Sequence, residues 1–159
     1  DRLRSRGLGD VYKRQVSIQH SEYILLLPPH HPAAEHFSVH GVDMQLLQKE
    51  TFILNQEFSS FHDLQWQILN YHHFKPAKIL HTHSMQATVQ MVLNGQGVSF
   101  FPNTIMPFLP TTCKACSFNP PWHFQYVVAY AKSHGLNMYH TQLANMLIEH
   151  YGQFRSHEV

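Results

Sequence analysis

The sequence predicts an α/β fold: a doubly wound, mainly parallel sheet with helices on both faces. Three observations carry that prediction. Short apolar runs alternate with stretches whose apolar residues recur every three or four positions. Prolines or glycines close most of the apolar runs. Serines stand where helices should start, and an Asn-Gly pair stands where one should end. Strands that alternate with helices form βαβ crossovers and hence parallel pairs.

The elements follow in order. "EYILLL", residues 22–27, reads as a buried strand stopped by Pro28 and Pro29. "PPHHPAAEHFSVHG" reads as a loop with three prolines, and "VDMQLLQKE" as a short helix with Val42, Leu46 and Leu47 on one side. "TFILN" is a second strand. "SSFHDLQWQILNYHHF" is an amphipathic helix with Phe61, Leu64, Ile68, Leu69 and Tyr71 on its apolar side, Ser59 or Ser60 as N-cap, and Lys75-Pro76 as its stop. "KILHTH" is a third strand. Ser84 caps the next helix, whose Met85, Val89, Val92 and Leu93 face a sheet, and Asn94-Gly95 closes it.

"GVSFF" is a fourth strand ended by Pro102, followed by a short helix or turn in "NTIMPFL". "CKACSF" reads as a fifth strand, "NPPWH" as a turn and "FQYVVAYAK" as a long strand. "NMYHTQLANMLIEHYGQF" is the last amphipathic helix, with Leu143, Met146, Leu147 and Tyr151 facing in.

Composition bounds the function. Hydrophobic residues make up 43% of the 159, which supports a core, while charged residues are 13% and the formal net charge is +1. That balance gives no electrostatic case for nucleic-acid binding by this chain alone. No apolar run approaches the roughly 18 residues of a membrane span. Cys113 and Cys116 are too few for a disulfide framework, which points to a reducing cytoplasm. Residues 1–15 hold five of the 11 lysines and arginines without any period, so "DRLRSRGLGDVYKRQ" is expected to be a disordered sequence scar rather than a basic arm.

In open α/β sheets, ligands sit beyond the carboxyl ends of the strands, where helix N-termini point. Two such junctions occur, Asn55–Phe61 and Thr82–Met85. Each offers amide N–H groups, a serine and a positive dipole end, which suit a small anion. The Phe101-Pro102 turn should lie at the end of the neighbouring strand. The Gly-x-Gly of Gly95 and Gly97 follows a helix and precedes a strand, the reverse of a dinucleotide fingerprint. Each site feature also has a plain reading: serine capping for the junctions, core packing and strand termination for Phe101 and Pro102.

The ordered set "EYILLLPPHHPAA", "TFILNQEFSSFHDLQWQIL" and "HSMQATVQMVLNGQGVSFFPNTI" resembles the effector-binding domain of LysR-type transcriptional regulators, over roughly residues 22–154. His31-Pro32-Ala33-Ala34 matches its His-Pro-Leu-Ala-type motif, with alanine for the usual leucine. Met91-Val92, Gly95, Gly97-Val98 and Phe101-Pro102 match its strand–helix–strand motif.

The resemblance implies a type 2 periplasmic-binding-protein-like fold of two α/β subdomains with a small effector in the cleft between them, in a chain truncated at its N-terminus. Residues 16–27 would be the crossover strand from the missing first subdomain, 28–131 the second subdomain, and 132–159 the return segment and C-terminal helix of the first. It implies ligand contacts from Gln56, Phe58, Ser59 and Ser60, from Thr82, His83 and Ser84, and from Phe101 and Pro102. Implied too are a homo-oligomer, dimer or tetramer, in the full-length protein, and DNA contact only through an absent helix-turn-helix. A transporter's solute-binding protein of similar fold is the alternative.

No catalytic role, cofactor or metal is assigned. Asp63 beside histidine and serine suggests a hydrolase, but no Gly-x-Ser-x-Gly elbow exists. His81, His83, Cys113 and Cys116 have ligand-type spacing, yet their order argues against a zinc module.

Overall fold

The computed structural model describes residues 13–57, 59–131 and 137–152. It divides into two compact units, one of residues 22–122 and one of 1–21 with 123–159.

The larger unit is built around a mixed sheet. Strands β2 (Thr51–Asn55) and β3 (Lys78–Thr82) pair in parallel, from Thr51 against Lys78 to Asn55 against Thr82. Val98 bridges Phe52 in parallel just before β4 (Ser99–Pro102), joining that pair to a three-stranded sheet. That sheet has the order β4-β1-β5, where β1 is Lys13–Leu27, β5 is Lys114–Ala131, and β1 runs antiparallel to β4. The expected strand at 22–27 is thus the end of a longer one. It begins at Lys13, so Lys13–Gln15, expected to be disordered, are in strand; residues 1–12 lie outside the described part.

Continuous apolar runs mean that both faces of a strand are covered. Tyr23 to Leu27 and Phe52 to Leu54 are all buried. On one face Ile24, Leu26, Ile53 and Phe101 pack with Val92 of helix α3 (Met85–Leu93) and with Ile105. On the other face Phe52 contacts Phe74 and Phe100, and Phe100 contacts Phe118. Helix α2 (Ser60–Tyr71) buries Ile68 and Leu69. Each deeply buried apolar side chain contributes about 1.5–3 kcal/mol.

The helices of the larger unit differ from expectation in four places. Residues 34–40, expected to be loop, form α1 (Ala34–His40), which buries Ala34 and Phe37 and ends at Gly41 with φ 82°. Three nearby prolines hide it, and Ala33 gives no side-chain cap. The helix expected in 42–50 contracts to a 3₁₀ turn, Met44–Leu47, capped by Asp43 through the Gln45 N–H, and Leu46 is exposed. Helix α2 stops at Tyr71, four residues before Lys75. His73, at φ 48°, donates to the Asn70 carbonyl and Phe74 donates to that of Leu69, a Schellman closure that holds without glycine. Tyr71 points outward against Trp122, and Gln65 takes the buried position. In α3, Met85 is exposed and Thr88 is buried.

The expected turn "NPPWH" is extended chain within β5. β5 lies at the end of its sheet's order, where proline's missing N–H costs no ladder bond. In the smaller unit, helix α4 (Met138–Gly152) starts at Asn137, whose side chain accepts the His140 N–H. Leu143 and Met146, expected inside, are exposed; Ala144 is buried and Leu147 half-buried, so the inward stripe lies one step round the helix. The Tyr151 side chain lies outside the described part.

The Gly-x-Gly pair has two separate reasons. Gly95, at φ 72°, donates to the Val92 carbonyl while Gln96 donates to that of Met91, so the pair closes α3. A Cβ at Gly97 would collide with the Thr51 carbonyl oxygen, because the chain passes tight against β2 there. Gly95→Ala is expected to cost about 1–2 kcal/mol, for backbone conformation alone. Gly97→Ala is expected to cost about 3 kcal/mol or more, since strand pairing must open. Chemical denaturation orders the two, and equal losses would refute the distinction.

His72 stacks on Phe118 with ring centroids 5.6 Å apart, and its Nε2 is buried without a hydrogen bond. Burial holds its pKa below the ordinary 6.5. The unfolded chain therefore takes up this proton more readily, and stability is lost as pH falls from about 6.5 through the folded value. His72→Phe should flatten part of the decline in melting temperature between about pH 7 and 5. An unchanged slope would remove His72 from that decline.

Candidate functional site

The parallel register of β2 and β3 puts the ends of both strands on one rim. Asn55 pairs with Thr82, and the next amide, Gln56 N–H, donates to the Thr82 carbonyl at 3.1 Å. The loop into α2 and the loop into α3 therefore leave the sheet side by side. β4 runs parallel to β2, so Pro102 ends on the same rim.

Serines start both helices. Ser59 Oγ accepts the His62 N–H at 3.0 Å and donates to the Gln56 carbonyl at 3.2 Å. Ser84 Oγ accepts the Ala87 N–H at 3.3 Å and donates to Gln86 Oε1 at 3.1 Å. First-turn amides have no main-chain partner within their helices, and the caps take only those of His62 and Ala87, so each helix directs N–H groups and its positive dipole end at the rim. Gln56 and His83 are exposed there; Ser59 and Ser84 are half-exposed.

The rim is braced from below. Gln65, 1% exposed, accepts the Asn55 N–H at 2.8 Å and donates to the Phe100 carbonyl at 3.2 Å and to Asn55 Oδ1 at 3.4 Å. The Thr82 and Thr88 hydroxyls lie 2.6 Å apart and each is within hydrogen-bond reach of the Ser84 carbonyl, so one hydroxyl donates to the other and the second donates to the carbonyl. Sequence reasoning missed Gln65 and Thr88 as rim supports. Their only signal is a polar residue in the apolar stripe of each helix.

The predicted site residues fall into three groups. Gln56, Ser59, His83 and Ser84 come together at the rim. Thr82 is 9% exposed and its hydroxyl is engaged inside, while Phe101 is a core side chain, 3% exposed, and Pro102 is buried as the start of a 3₁₀ turn. Phe58 and the Ser60 side chain lie outside the described part. His62 and His81 also stand near the rim, with ring centroids 6.5 Å apart and His62 Nδ1 3.5 Å from Asp63 Oδ1. A cavity of about 430 Å³, lined by Trp66, Asn70, His73 and Ile79 among others, lies at the other ends of α2 and β3, away from the rim.

Among the described residues, no three His, Cys, Asp or Glu side chains converge on a point that could hold a metal. Cys113 donates weakly to the Leu27 carbonyl at 3.8 Å, and Cys116 is buried; burial pushes both thiols above their ordinary pKa, opposite to an activated nucleophile. Among the described residues, no helix is long and apolar enough to cross a membrane.

The model of the LysR substrate binding domain matches residues 14–152. The chain belongs to the LysR substrate binding domain family. No curated protein matches it. Solved structures agree on the fold. The effector binding domain of a BenM variant has a TM-score of 0.75 at 15% identity, covering 94% of this chain and 69% of that one. The effector binding domain of QuiR in complex with shikimate has 0.70 at 18%, covering 89% and 66%. The regulatory domain of MetR from N. meningitidis, a LysR family regulator, has 0.72 at 17%, covering 93% and 67%. This LysR substrate binding domain therefore has the type 2 periplasmic-binding-protein-like fold of these regulatory domains and spans about two thirds of their length.

The family motifs have structural explanations in this LysR domain. His31 Nδ1 accepts the Ala33 N–H at 3.2 Å, and its Nε2 faces Glu50 at 3.5 Å, so the His-Pro segment is a self-capped turn. Val92, Val98 and Phe101 are buried, and both glycines shape the backbone.

Gln65→Met should retain volume but strand the Asn55 amide and the Phe100 carbonyl. A loss of about 2–4 kcal/mol is expected in urea denaturation. A loss under about 1 kcal/mol would show that Gln65 does not hold the rim.

Proposed function

We propose that this chain is the effector-sensing part of a bacterial LysR-type transcriptional regulator and that it binds a small organic anion at the rim of the larger unit. One observation carries the reading: the Asn55–Thr82 pairing sets two serine-capped helix N-termini next to each other on one edge of the sheet. Partial positive charge at both ends favours a carboxylate between them, and first-turn amides supply the hydrogen bonds. Gln56 and His83 add donors at the edge. Ser59 and Ser84 place the amides and offer hydroxyls. In this reading residues 28–131 are the effector-facing subdomain and 132–159 the return segment and C-terminal helix of the first.

The effector is bound and released unchanged, with no catalytic step, and no cofactor takes part. Its binding favours one arrangement of a dimeric or tetrameric cytoplasmic regulator, which repositions DNA-binding helices outside this chain. Benzoate and shikimate, bound by the BenM and QuiR effector domains, are natural first probes because both are small ring carboxylates.

In the intact regulator, a thermal-shift screen of small carboxylates against their neutral methyl esters is expected to select acids. Ser59→Ala and Ser84→Ala should each weaken the selected acid by about 1 kcal/mol in calorimetry, roughly fivefold. Equal binding of acid and ester, or unchanged affinity in both variants, would remove the rim as the binding site.

A further inference from the structure

Helix α1 carries a pair of side chains that the sensing role does not use. His36 and His40 stand at i and i+4, on one face of the helix. Their ring centroids are 4.8 Å apart with planes inclined at 42°. Both are exposed, and neither ring has a hydrogen-bond or ion-pair partner among the described residues.

The backbone under the pair is fixed. Phe37 and Ala34 are buried, Ser38 Oγ donates to the Ala34 carbonyl at 2.8 Å, and Gly41 N–H closes the helix on the Phe37 carbonyl at 2.9 Å. Phe37 also meets the His36 ring edge-on, with centroids 6.1 Å apart. The two rings therefore have little freedom beyond rotation of their own side chains.

That spacing suits chelation. A transition ion about 2.1 Å from one nitrogen of each imidazole lies about 3.2 Å from each ring centroid, so two rings sharing it at about 90–110° stand about 4.5–5.2 Å apart. The observed separation falls inside that range. His62 and His81, at 6.5 Å, fall outside it. Two histidines one turn apart on a helix are a recurrent ligand pair for zinc.

We propose that His36 and His40 chelate a divalent transition ion, Zn2+, Ni2+ or Cu2+, through one ring nitrogen each, with water filling the remaining positions. Imidazole selects this class over Mg2+ or Ca2+, which prefer oxygen ligands. Two protein ligands make an exchangeable site, unlike the closed four-ligand sites that hold structural zinc.

The test uses the full chain and each ion alone. Calorimetric titration with ZnCl2 and with CuCl2 should show a site that His36→Gln and His40→Gln each weaken by about tenfold or more, because a single imidazole cannot chelate. Circular dichroism confirms that each variant is folded; both positions are exposed. His140→Gln, an exposed histidine on α4, should bind as wild type does and controls for scattered histidine binding. On adding Zn2+, the ring signals of His36 and His40 should move together in NMR spectra. Wild-type affinity in either variant, independent movement of the two signals, or an equal loss in His140→Gln would overturn the chelate. MgCl2 should produce no comparable binding, and an equal response to Mg2+ would also overturn it.

Discussion

The parallel pairing of β2 with β3 is the constraint on which the rest of the molecule depends. A strand alternates its side chains between two faces, and here the faces have different packing. Phe52 belongs to the aromatic layer with Phe74 and Phe100, while Ile53 belongs to the aliphatic layer with Val92 and Ile24. A slip of one residue would exchange these side chains between two unlike environments, so the register is strongly determined. The Gln56–Thr82 hydrogen bond carries that register one step past the strands. Both loops therefore inherit their positions from the core beneath them.

Apolar burial explains why the layers form but not why the rim has one shape. That second task falls to a few buried polar groups. Gln65 has all three of its hydrogen bonds directed at main-chain and side-chain atoms of β2 and β4, so it ties α2 to the strand ends. Thr82 and Thr88 do the same for α3. Such groups are stabilising only when satisfied, since each unsatisfied buried donor or acceptor costs about 1–3 kcal/mol. The penalty penalises alternative loop positions and so makes the rim rigid.

How much of this was legible in the sequence follows from which physics each element obeys. β2 was readable to the residue because "TFILN" is a short apolar run between polar neighbours. Ser84 was readable as a cap because it is the one serine at the start of its helix, whereas the adjacent Ser59 and Ser60 left the cap of α2 open between them, and the structure gives it to Ser59. Helix α1 was not, because its two buried residues and missing cap give a weak period beside three prolines. The α2 end is hidden because His73 adopts positive φ without glycine's usual signal. Side-chain direction was least legible: Leu143, Met146 and Tyr71 are apolar yet exposed, since periodicity gives a helix face but not the surface it meets. At the candidate site, the shared rim followed from the alternation of strands and helices, whereas Phe101 needed the packing on β4 to be placed in the core.

The division of labour between motif and rim bears on what selects a ligand. Val92, Val98 and Phe101 are buried, Gly95 and Gly97 act through backbone geometry, and His31 caps its own turn. None of these side chains faces a solute above the rim, so the motif by which the chain is grouped with its family shapes the support and carries no information on chemical selectivity. In the proposed sensor, the amides of the two helix starts recognise charge, a property common to many metabolites. Discrimination among anions then rests on side chains that the motif leaves free, chiefly Gln56, His83 and the neighbouring His62 and His81. A buried frame can therefore persist while the exposed residues around it change their guest, because the packing that sets the register and the contacts that read the ligand involve different atoms.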